Sequence, residues 1–129
     1  MSRPATITPA EFAALSKRKH SHGVHKPGVM NGIEAEYAAI LELRKRAGGD
    51  IDWYAFEAIT LKLADDTRYT PDFLVMRSDC TLECHETKAR WEDDALVKIK
   101  VAAEKFPFRF IAQEKIAKKH GGGWRAREF

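Results

Sequence analysis

The sequence predicts an α/β fold in which a mixed β-sheet is flanked by helices, with its elements in the order αβββαβ. Two stretches carry apolar residues at helical spacing, and between them lie three segments that alternate as half-buried strands do. A fourth strand-like segment follows the second helix. Charged residues make up 32% and hydrophobic residues 44% of the 129-residue chain, which suits one globular domain with a real core.

The first helix is predicted to run from about Gly32 to Ala47. Asn31 is a favourable N-cap residue, and Gly48-Gly49 supplies the stop at the C-terminal end. One stripe repeats at helical spacing and faces the core. Its members are Ile33, Tyr37, Ile40, Leu41 and Arg44.

Three strands are predicted to form an antiparallel meander, over Trp53–Ala64, Arg68–Met76 and Leu82–Lys88. The turns between them fall at Asp65–Thr67 and Ser78–Thr81. Pro71, inside the second strand, is tolerable only near a sheet edge or the start of a strand.

The second helix is predicted to begin near Glu92, where acidic residues suit the positive end of the helix dipole, and to end at Pro107. A short strand from Phe108 to Ala112 completes the core. The apolar stripe of this helix consists of Leu96, Ile99, Ala103 and Phe106.

Basic, glycine-containing segments flank this core. Residues 1–30 are predicted to be a flexible basic arm, 31–115 the folded core, and 116–129 a basic, glycine-rich tail with one aromatic anchor at Trp124. The formal charge is only +3, so the clustering of cations at both ends favours a polyanionic partner only slightly. An unstructured solubilising arm is an equal alternative.

The sequence also predicts where the protein is located in the cell and the redox state of its two cysteines. No apolar run approaches the ~20 residues that cross a bilayer, and no secretory signal is recognisable, so we expect a cytoplasmic protein with no membrane partner. Cys80 and Cys84 are too few and too close to staple a fold, and we expect both to be reduced.

Three charged residues are predicted to converge at one edge of the sheet. Glu86 and Lys88 point to the same face of their strand because side chains two apart share a face. Pairing through the Ser78–Thr81 turn brings Asp72 within a residue or two of Glu86. Two carboxylates this close repel unless a proton or a cation intervenes, and Mg²⁺ prefers such oxygen ligands.

A purely structural interpretation is also open. Asp72 would then cap its strand, and Glu86 and Lys88 would form an exposed cross-strand ion pair.

Pro71-Asp72, thirteen intervening residues and Glu86-Thr87-Lys88 resemble the signature of the PD-(D/E)XK nuclease superfamily. The αβββαβ order resembles that superfamily's restriction-endonuclease-like core. The string RYTPDFLV at 68–75 and the helix EDDALVKIK at 92–100 are similar to small endonucleases encoded by phages and prophages. Ala89, where relatives often have glycine, and Cys80, at a turn position that favours glycine or asparagine, depart from the pattern.

The resemblance implies that Asp72 and Glu86 are metal ligands and that Lys88 positions water or stabilises charge. It also implies an acidic residue from the first helix. Glu34 fits that position best, with Glu36 as the substitute, although Glu34 is also placed as a capping-box residue. The implied cofactor is Mg²⁺, with Mn²⁺ as a substitute.

The implied activity is metal-dependent cleavage of DNA, in the cytoplasm of a host cell if the gene is phage-borne. Branched or junction DNA is the substrate expected from the resemblance to phage resolvases. Such cutting needs two active sites, so we expect a homodimer, with Val97 and Val101 as one contact. A non-catalytic nucleic-acid-binding protein is the alternative. The residues expected to contact nucleic acid are Lys17, Arg18, Lys19, Lys26, Arg90, Lys98 and Lys100.

No zinc site is expected. Cys80, Cys84 and His85 lack the usual Cys-x₂-Cys spacing, and strand alternation sends Cys84 and His85 to opposite faces. Trp91, just before the second helix, is open to two interpretations: a packing residue, or a ring on which a base stacks.

Overall fold

The computed structural model describes residues 27–129. The chain separates into two units, Met1–Asn31 and Gly32–Phe129, and every helix and strand given below belongs to the second. Four of the basic residues predicted to contact nucleic acid lie outside the described residues. They are Lys17, Arg18, Lys19 and Lys26.

Helix α1 runs over Gly32–Arg46, close to its predicted bounds. It stops at Gly48, whose φ of 63° lies in the left-handed region that favours glycine. The Gly49 amide then donates to the Arg44 carbonyl oxygen at 2.9 Å and closes the last turn. The buried residues of the helix are Glu34, Tyr37 and Leu41.

A second helix and seven strands complete the described part of the chain. The strands are β1 (Ile51–Phe56), β2 (Leu61–Ala64), β3 (Thr67–Tyr69), β4 (Phe73–Arg77), β5 (Leu82–Lys88), β6 (Arg109–Lys115) and β7 (Trp124–Glu128). Helix α2 spans Asp93–Lys105, between β5 and β6.

Five of these strands form one mixed sheet in the order β1-β4-β5-β6-β7. β1, β4 and β5 pair antiparallel, which confirms the predicted meander, and β5 pairs parallel with β6. A parallel pair needs a long crossover connection, and α2 supplies it. The prediction of a mixed α/β fold is therefore confirmed.

Two of the predicted long strands are each broken in two. The first is interrupted after β1 at Glu57, whose φ of 48° does not fit extended backbone. The other is interrupted between β3 and β4, where Pro71 has no N–H to donate to a ladder. The displaced halves, β2 and β3, pair with each other as a separate hairpin.

Both predicted turns are present, and each contains a residue with positive φ. Asp66 has a φ of 57°, which aspartate tolerates better than most residues do. Cys80 has a φ of 69°, and its amide donates to the Arg77 carbonyl oxygen at 2.9 Å. The position of Cys80 is thus one that favours glycine or asparagine, as the sequence indicated.

The two helices pack on opposite faces of β5. His85 bonds the Tyr37 hydroxyl of α1, while its neighbour Cys84 belongs to the core cluster that includes Ile99 and Ala102 of α2. Neighbouring strand residues point to opposite faces, so α1 and α2 lie on different sides. The predicted separation of Cys84 from His85 is confirmed.

The expectation of a tail outside the folded core after residue 115 is wrong for its last part. Trp124–Glu128 form β7, which pairs antiparallel with β6 from Ile111↔Glu128 to Lys115↔Trp124. A short 3-10 turn and three consecutive glycines with positive φ, Gly121–Gly123, reverse the chain before it. A glycine-rich turn followed by an aromatic strand residue is also typical of a β-hairpin.

Only one of the two residues predicted to form a dimer contact, Val97 and Val101, is exposed. Val97 is 58% exposed, but Val101 packs against the hydrophobic core. Within residues 27–129, neither helix has the length and apolar character needed to cross a bilayer.

Candidate active site

Asp72 lies beside the end of β5, as the hairpin geometry predicted. Phe73 pairs with His85 in the β4–β5 ladder, so one further step places Asp72 opposite Glu86. Its carboxylate oxygen Oδ2 accepts hydrogen bonds from the Thr87 amide at 2.8 Å and from the Thr87 hydroxyl at 2.9 Å. Asp72 is therefore held in one orientation against the last residues of β5.

Glu86 is only 6% exposed, which is unusual for a carboxylate. Burial, together with the neighbouring charge of Asp72, raises the pKa of Glu86 to about 7. Lys88 and the Tyr69 hydroxyl act in the opposite direction and limit the rise. Glu86 is thus half-protonated near neutral pH, and a cation placed beside it would favour its charged form.

Tyr69 fixes one oxygen of this carboxylate. Its hydroxyl donates to Glu86 Oε2 at 2.6 Å, and both side chains are buried. Burial and the Glu86 charge raise the pKa of Tyr69 far above its usual value, so the hydroxyl keeps its proton and remains a donor.

Lys88 lies at the other oxygen of Glu86. Its Nζ is 3.3 Å from Glu86 Oε1, and its side chain is 26% exposed. The ammonium also lies 5.9 Å from the centre of the Trp91 ring. The structural interpretation expected an exposed ion pair across two strands. Glu86 and Lys88 instead lie on one strand, with Glu86 buried and Lys88 partly exposed.

The helix acids Glu34 and Glu36, which the sequence could not separate, differ clearly in environment. Glu34 is 5% exposed, whereas Glu36 is largely exposed and forms an ion pair with Lys115 of β6. Glu36 thus forms an ion pair at the surface, and Glu34 is the buried acid of the first turn of α1.

Residues 27–129 contain no group of three or more His, Cys, Asp and Glu side chains arranged to hold one metal ion. Asp72 and Glu86 are therefore a pair, and Glu34 does not complete a three-acid group with them in this conformation. The role of Glu34 stays a prediction.

The histidine and the two cysteines of β5 and its turn occupy three different environments. Both ring nitrogens of His85 are engaged, Nδ1 with the Tyr37 hydroxyl at 2.5 Å and Nε2 with Glu83 Oε1 at 2.9 Å. Cys84 is buried, and burial raises the pKa of its thiol to about 12. Cys80 is exposed in the turn.

The three predicted nucleic-acid contacts within the described residues occupy different surroundings. Arg90 is exposed in the segment that leads from β5 to α2. Lys98 is half-buried on α2, and Lys100 lines an open groove with Glu104 and Phe129. The structure therefore leaves Arg90 and Lys100 accessible to a phosphate backbone.

Sequence reasoning missed three residues that shape this site: Tyr69, Thr87 and Glu114. Tyr69 had a detectable signal, because the hydroxyl of a buried tyrosine needs a hydrogen-bond partner, which in the structure is Glu86 of β5. Thr87 bonds Asp72 from the opposite strand. Glu114 had no signal in the sequence, since only the β5–β6 pairing brings it opposite Lys88.

Comparisons of this chain with protein-family models, with curated proteins and with solved structures found no match.

Proposed function

We propose that this chain is a Mg²⁺-dependent DNA endonuclease with a restriction-endonuclease-like core. The observation that carries the proposal is the buried Glu86 beside Asp72, with the Lys88 ammonium 3.3 Å from Glu86 Oε1. A structural ion pair gains nothing from burying one carboxylate next to another, because their repulsion raises the free energy of the charged state.

The architecture supports the same proposal. A helix precedes the β1-β4-β5 meander, and a second helix leads to the parallel strand β6. Asp72 precedes β4, and Glu86 and Lys88 end β5. This is the arrangement of the Pro-Asp and Glu-x-Lys elements in the resemblance drawn from the sequence.

The residues fit a divalent cation. Its charge would offset the effects of burial and of the neighbouring Asp72 charge, which raise the pKa of Glu86, and two carboxylates suffice because Mg²⁺ retains several waters. Asp72 and Glu86 would hold the ion, with Glu34 as a candidate third ligand. Bound there, the ion supplies a more acidic water and neutralises charge on a phosphate.

The remaining chemistry belongs to side chains of the chain itself. Tyr69 and Thr87 fix the orientation of the two carboxylates through hydrogen bonds of 2.6 Å and 2.8–2.9 Å. Lys88 donates a hydrogen bond to the attacking water or to a phosphate oxygen, and stabilises the charge that develops on that oxygen.

DNA is the proposed substrate, and branched or four-way junction DNA is the proposed preference. Arg90 follows Lys88 closely in the chain, before the start of α2, and Lys100 lies on α2 itself. Cations on either side of the start of this helix are therefore available to the phosphate backbone of DNA. Phosphate contacts of this kind need only loosely placed charges. A homodimer would supply the two active sites that junction cutting requires.

The test is cleavage of supercoiled plasmid and of a four-way junction by the full chain. We expect cleavage with Mg²⁺, none with EDTA, and a loss of about 100-fold or more in Lys88→Ala, Asp72→Asn and Glu86→Gln. Lys62→Ala and Asp65→Asn are matched controls, because both residues are exposed on the β2–β3 hairpin, and they should cleave as wild type does.

Other outcomes decide against the enzyme. Binding of the junction without cleavage, with Mg²⁺ and with Mn²⁺, would support the alternative of a non-catalytic nucleic-acid-binding protein. Neither binding nor cleavage would leave Asp72 as a strand cap and the Glu86–Lys88 pair as a structural contact.

A further inference from the structure

Trp91 lies three residues after Lys88, in the segment between β5 and α2. Its indole Nε1 donates a hydrogen bond to Glu114 Oε2 at 2.7 Å. The ring also meets Phe129 edge-on, with centroids 5.8 Å apart and planes at 70°. Phe129 in turn is tied to β6, because its amide donates to the Phe110 carbonyl oxygen at 3.0 Å. The indole is therefore fixed at two points.

The fixed ring lies within reach of the Lys88 ammonium. The distance from Lys88 Nζ to the ring centre is 5.9 Å, inside the range of cation–π attraction. Glu114, the hydrogen-bond partner of the indole, pairs with Lys88 across the parallel β5–β6 ladder. Glu114 thus bonds the Trp91 indole and lies opposite Lys88 in the ladder, so it links the orientation of the ring to the position of Lys88.

We propose that Trp91 is a positioning residue for Lys88, and that its indole keeps the ammonium beside the Asp72–Glu86 pair. The catalytic part of this inference rests on the proposed function. A divalent cation at Glu86 would compete with Lys88 for Oε1, and the Trp91 ring is the partner that would then still hold the ammonium. Trp91 also packs against the core, so a purely structural role must be distinguished.

The position of Lys88 is tested without any activity measurement. Reductive methylation with ¹³C-formaldehyde labels lysines and keeps their positive charge, and an aromatic ring shifts the methyl signals of a lysine near its face. Lys88→Arg assigns the Lys88 signal in the full chain. We expect Trp91→Leu to move that signal to the position of an exposed lysine, and Trp91→Phe to preserve part of the ring shift.

The molecule contains a matched control for this measurement. Lys115 lies 6.0 Å from the centre of the Trp124 ring, nearly the same distance, and its signal should not move in Trp91→Leu. Glu114→Ala keeps the ring but removes its anchor, so the Lys88 shift should shrink. Trp91→Phe and Glu114→Ala decide the question if Trp91→Leu does not fold. A Lys88 signal that is the same in wild type and all three variants overturns the proposal.

Cleavage kinetics test the catalytic part. We expect Trp91→Leu to lower kcat about ten-fold with KM unchanged, and Trp91→Phe to restore most of the rate. A kcat equal to that of wild type in Trp91→Leu would overturn the positioning role. If the wild-type chain does not cleave, the proposed function fails, while the ring shift still decides whether Trp91 holds Lys88.

Discussion

Glu86 is the residue in which sequence, burial and charge combine most directly. A carboxylate on an otherwise apolar strand face is expensive to ionise, and a second carboxylate nearby makes it more so. The resulting pKa of about 7 means that the folded chain takes up a proton that the unfolded chain releases at lower pH. The stability of the protein must therefore depend on pH in a way that identifies this residue.

The first prediction concerns that dependence in the absence of metal. The folded pKa of Glu86 is raised from 4.5 to about 7, so its contribution to stability is fully present below pH 4.5 and is lost as the pH rises through 7. Between about pH 5 and about pH 8, wild type should lose about 2–3 kcal/mol relative to Glu86→Gln. Urea unfolding of both proteins in EDTA measures this, and parallel pH profiles would contradict it.

On the opposite face of β5 lies a second buried polar group that belongs to the scaffold. Glu83 is 1% exposed, and the hydrogen bond from His85 holds its pKa below the usual range despite that burial. Arg109 adds a hydrogen bond to Glu83 of 2.8 Å. His85 also bonds the Tyr37 hydroxyl of α1, so this hydrogen-bond network joins α1 to the sheet.

Removing the Tyr37 hydroxyl should therefore destabilise the fold. Tyr37→Phe leaves His85 Nδ1 buried without this partner, and we expect a loss of about 1–3 kcal/mol in the free energy of unfolding. Tyr54→Phe is the matched control: its hydroxyl bonds Glu42 at 2.7 Å in a more exposed setting, and its loss should cost less than about 1 kcal/mol. Equal losses in urea denaturation would show that the His85 contact contributes nothing beyond the hydroxyl itself.

Among the elements, β7 differs most from what the sequence predicted. Without it, β6 would be an edge strand, and its buried residues Ile111 and Ala112 would lose their pairing partners on β7. Trp124 begins the strand and packs against Tyr37 with ring centroids 5.5 Å apart. Phe129, just beyond its end, reaches Trp91. β7 therefore connects the sheet edge both to α1 and to the candidate site.

Deletion of residues 121–129 distinguishes a strand from a tail. As a strand, this segment buries parts of Trp124 and Phe129, and its removal should lower the free energy of unfolding by at least about 2 kcal/mol. Ala126→Ser, at an exposed position of β7, should leave stability nearly unchanged. Urea denaturation of the three proteins gives the comparison, and a truncated chain as stable as wild type would rule out the strand's contribution.

At the scale of the whole molecule, charge and metal are the relevant quantities. The formal net charge of +3 is small, so a polyanion would be attracted by local clusters of cations more than by the overall field. Asp72 and Glu86 form a concentrated negative site within this weakly positive molecule. A cation that binds the native site and not the unfolded chain stabilises the fold by mass action.

Millimolar Mg²⁺ should consequently raise Tm by a few degrees at about pH 8, where Glu86 is charged, and by less at about pH 5. Asp72→Asn and Glu86→Gln should abolish the increase. Glu36→Gln, which changes an exposed acid paired with Lys115, should retain it. Thermal unfolding followed by circular dichroism measures all four proteins. An equal increase in wild type and Glu86→Gln would place the ion elsewhere.

Much of the fold was predictable because it depends on local patterns. The bounds of α1 follow from Gly48 and the apolar stripe, and the meander follows from alternation and two turns. The breaks at Glu57 and Pro71 were less accessible. Pro71 predicts a break, but no residue near Glu57 predicts that its φ is 48° and that β1 ends there.

The sequence by itself determined the α/β class, the antiparallel meander and the meeting of Asp72 with Glu86, because periodicity and turn geometry act over short distances along the chain. Tertiary structure decided what surrounds that pair. Tyr69 bonds Glu86 and Thr87 bonds Asp72. Trp91, held by Glu114 and Phe129, lies beside Lys88. Tertiary structure also decided that Glu34 is buried and Glu36 exposed, since both flank the same helical stripe and only the sheet beneath α1 separates them.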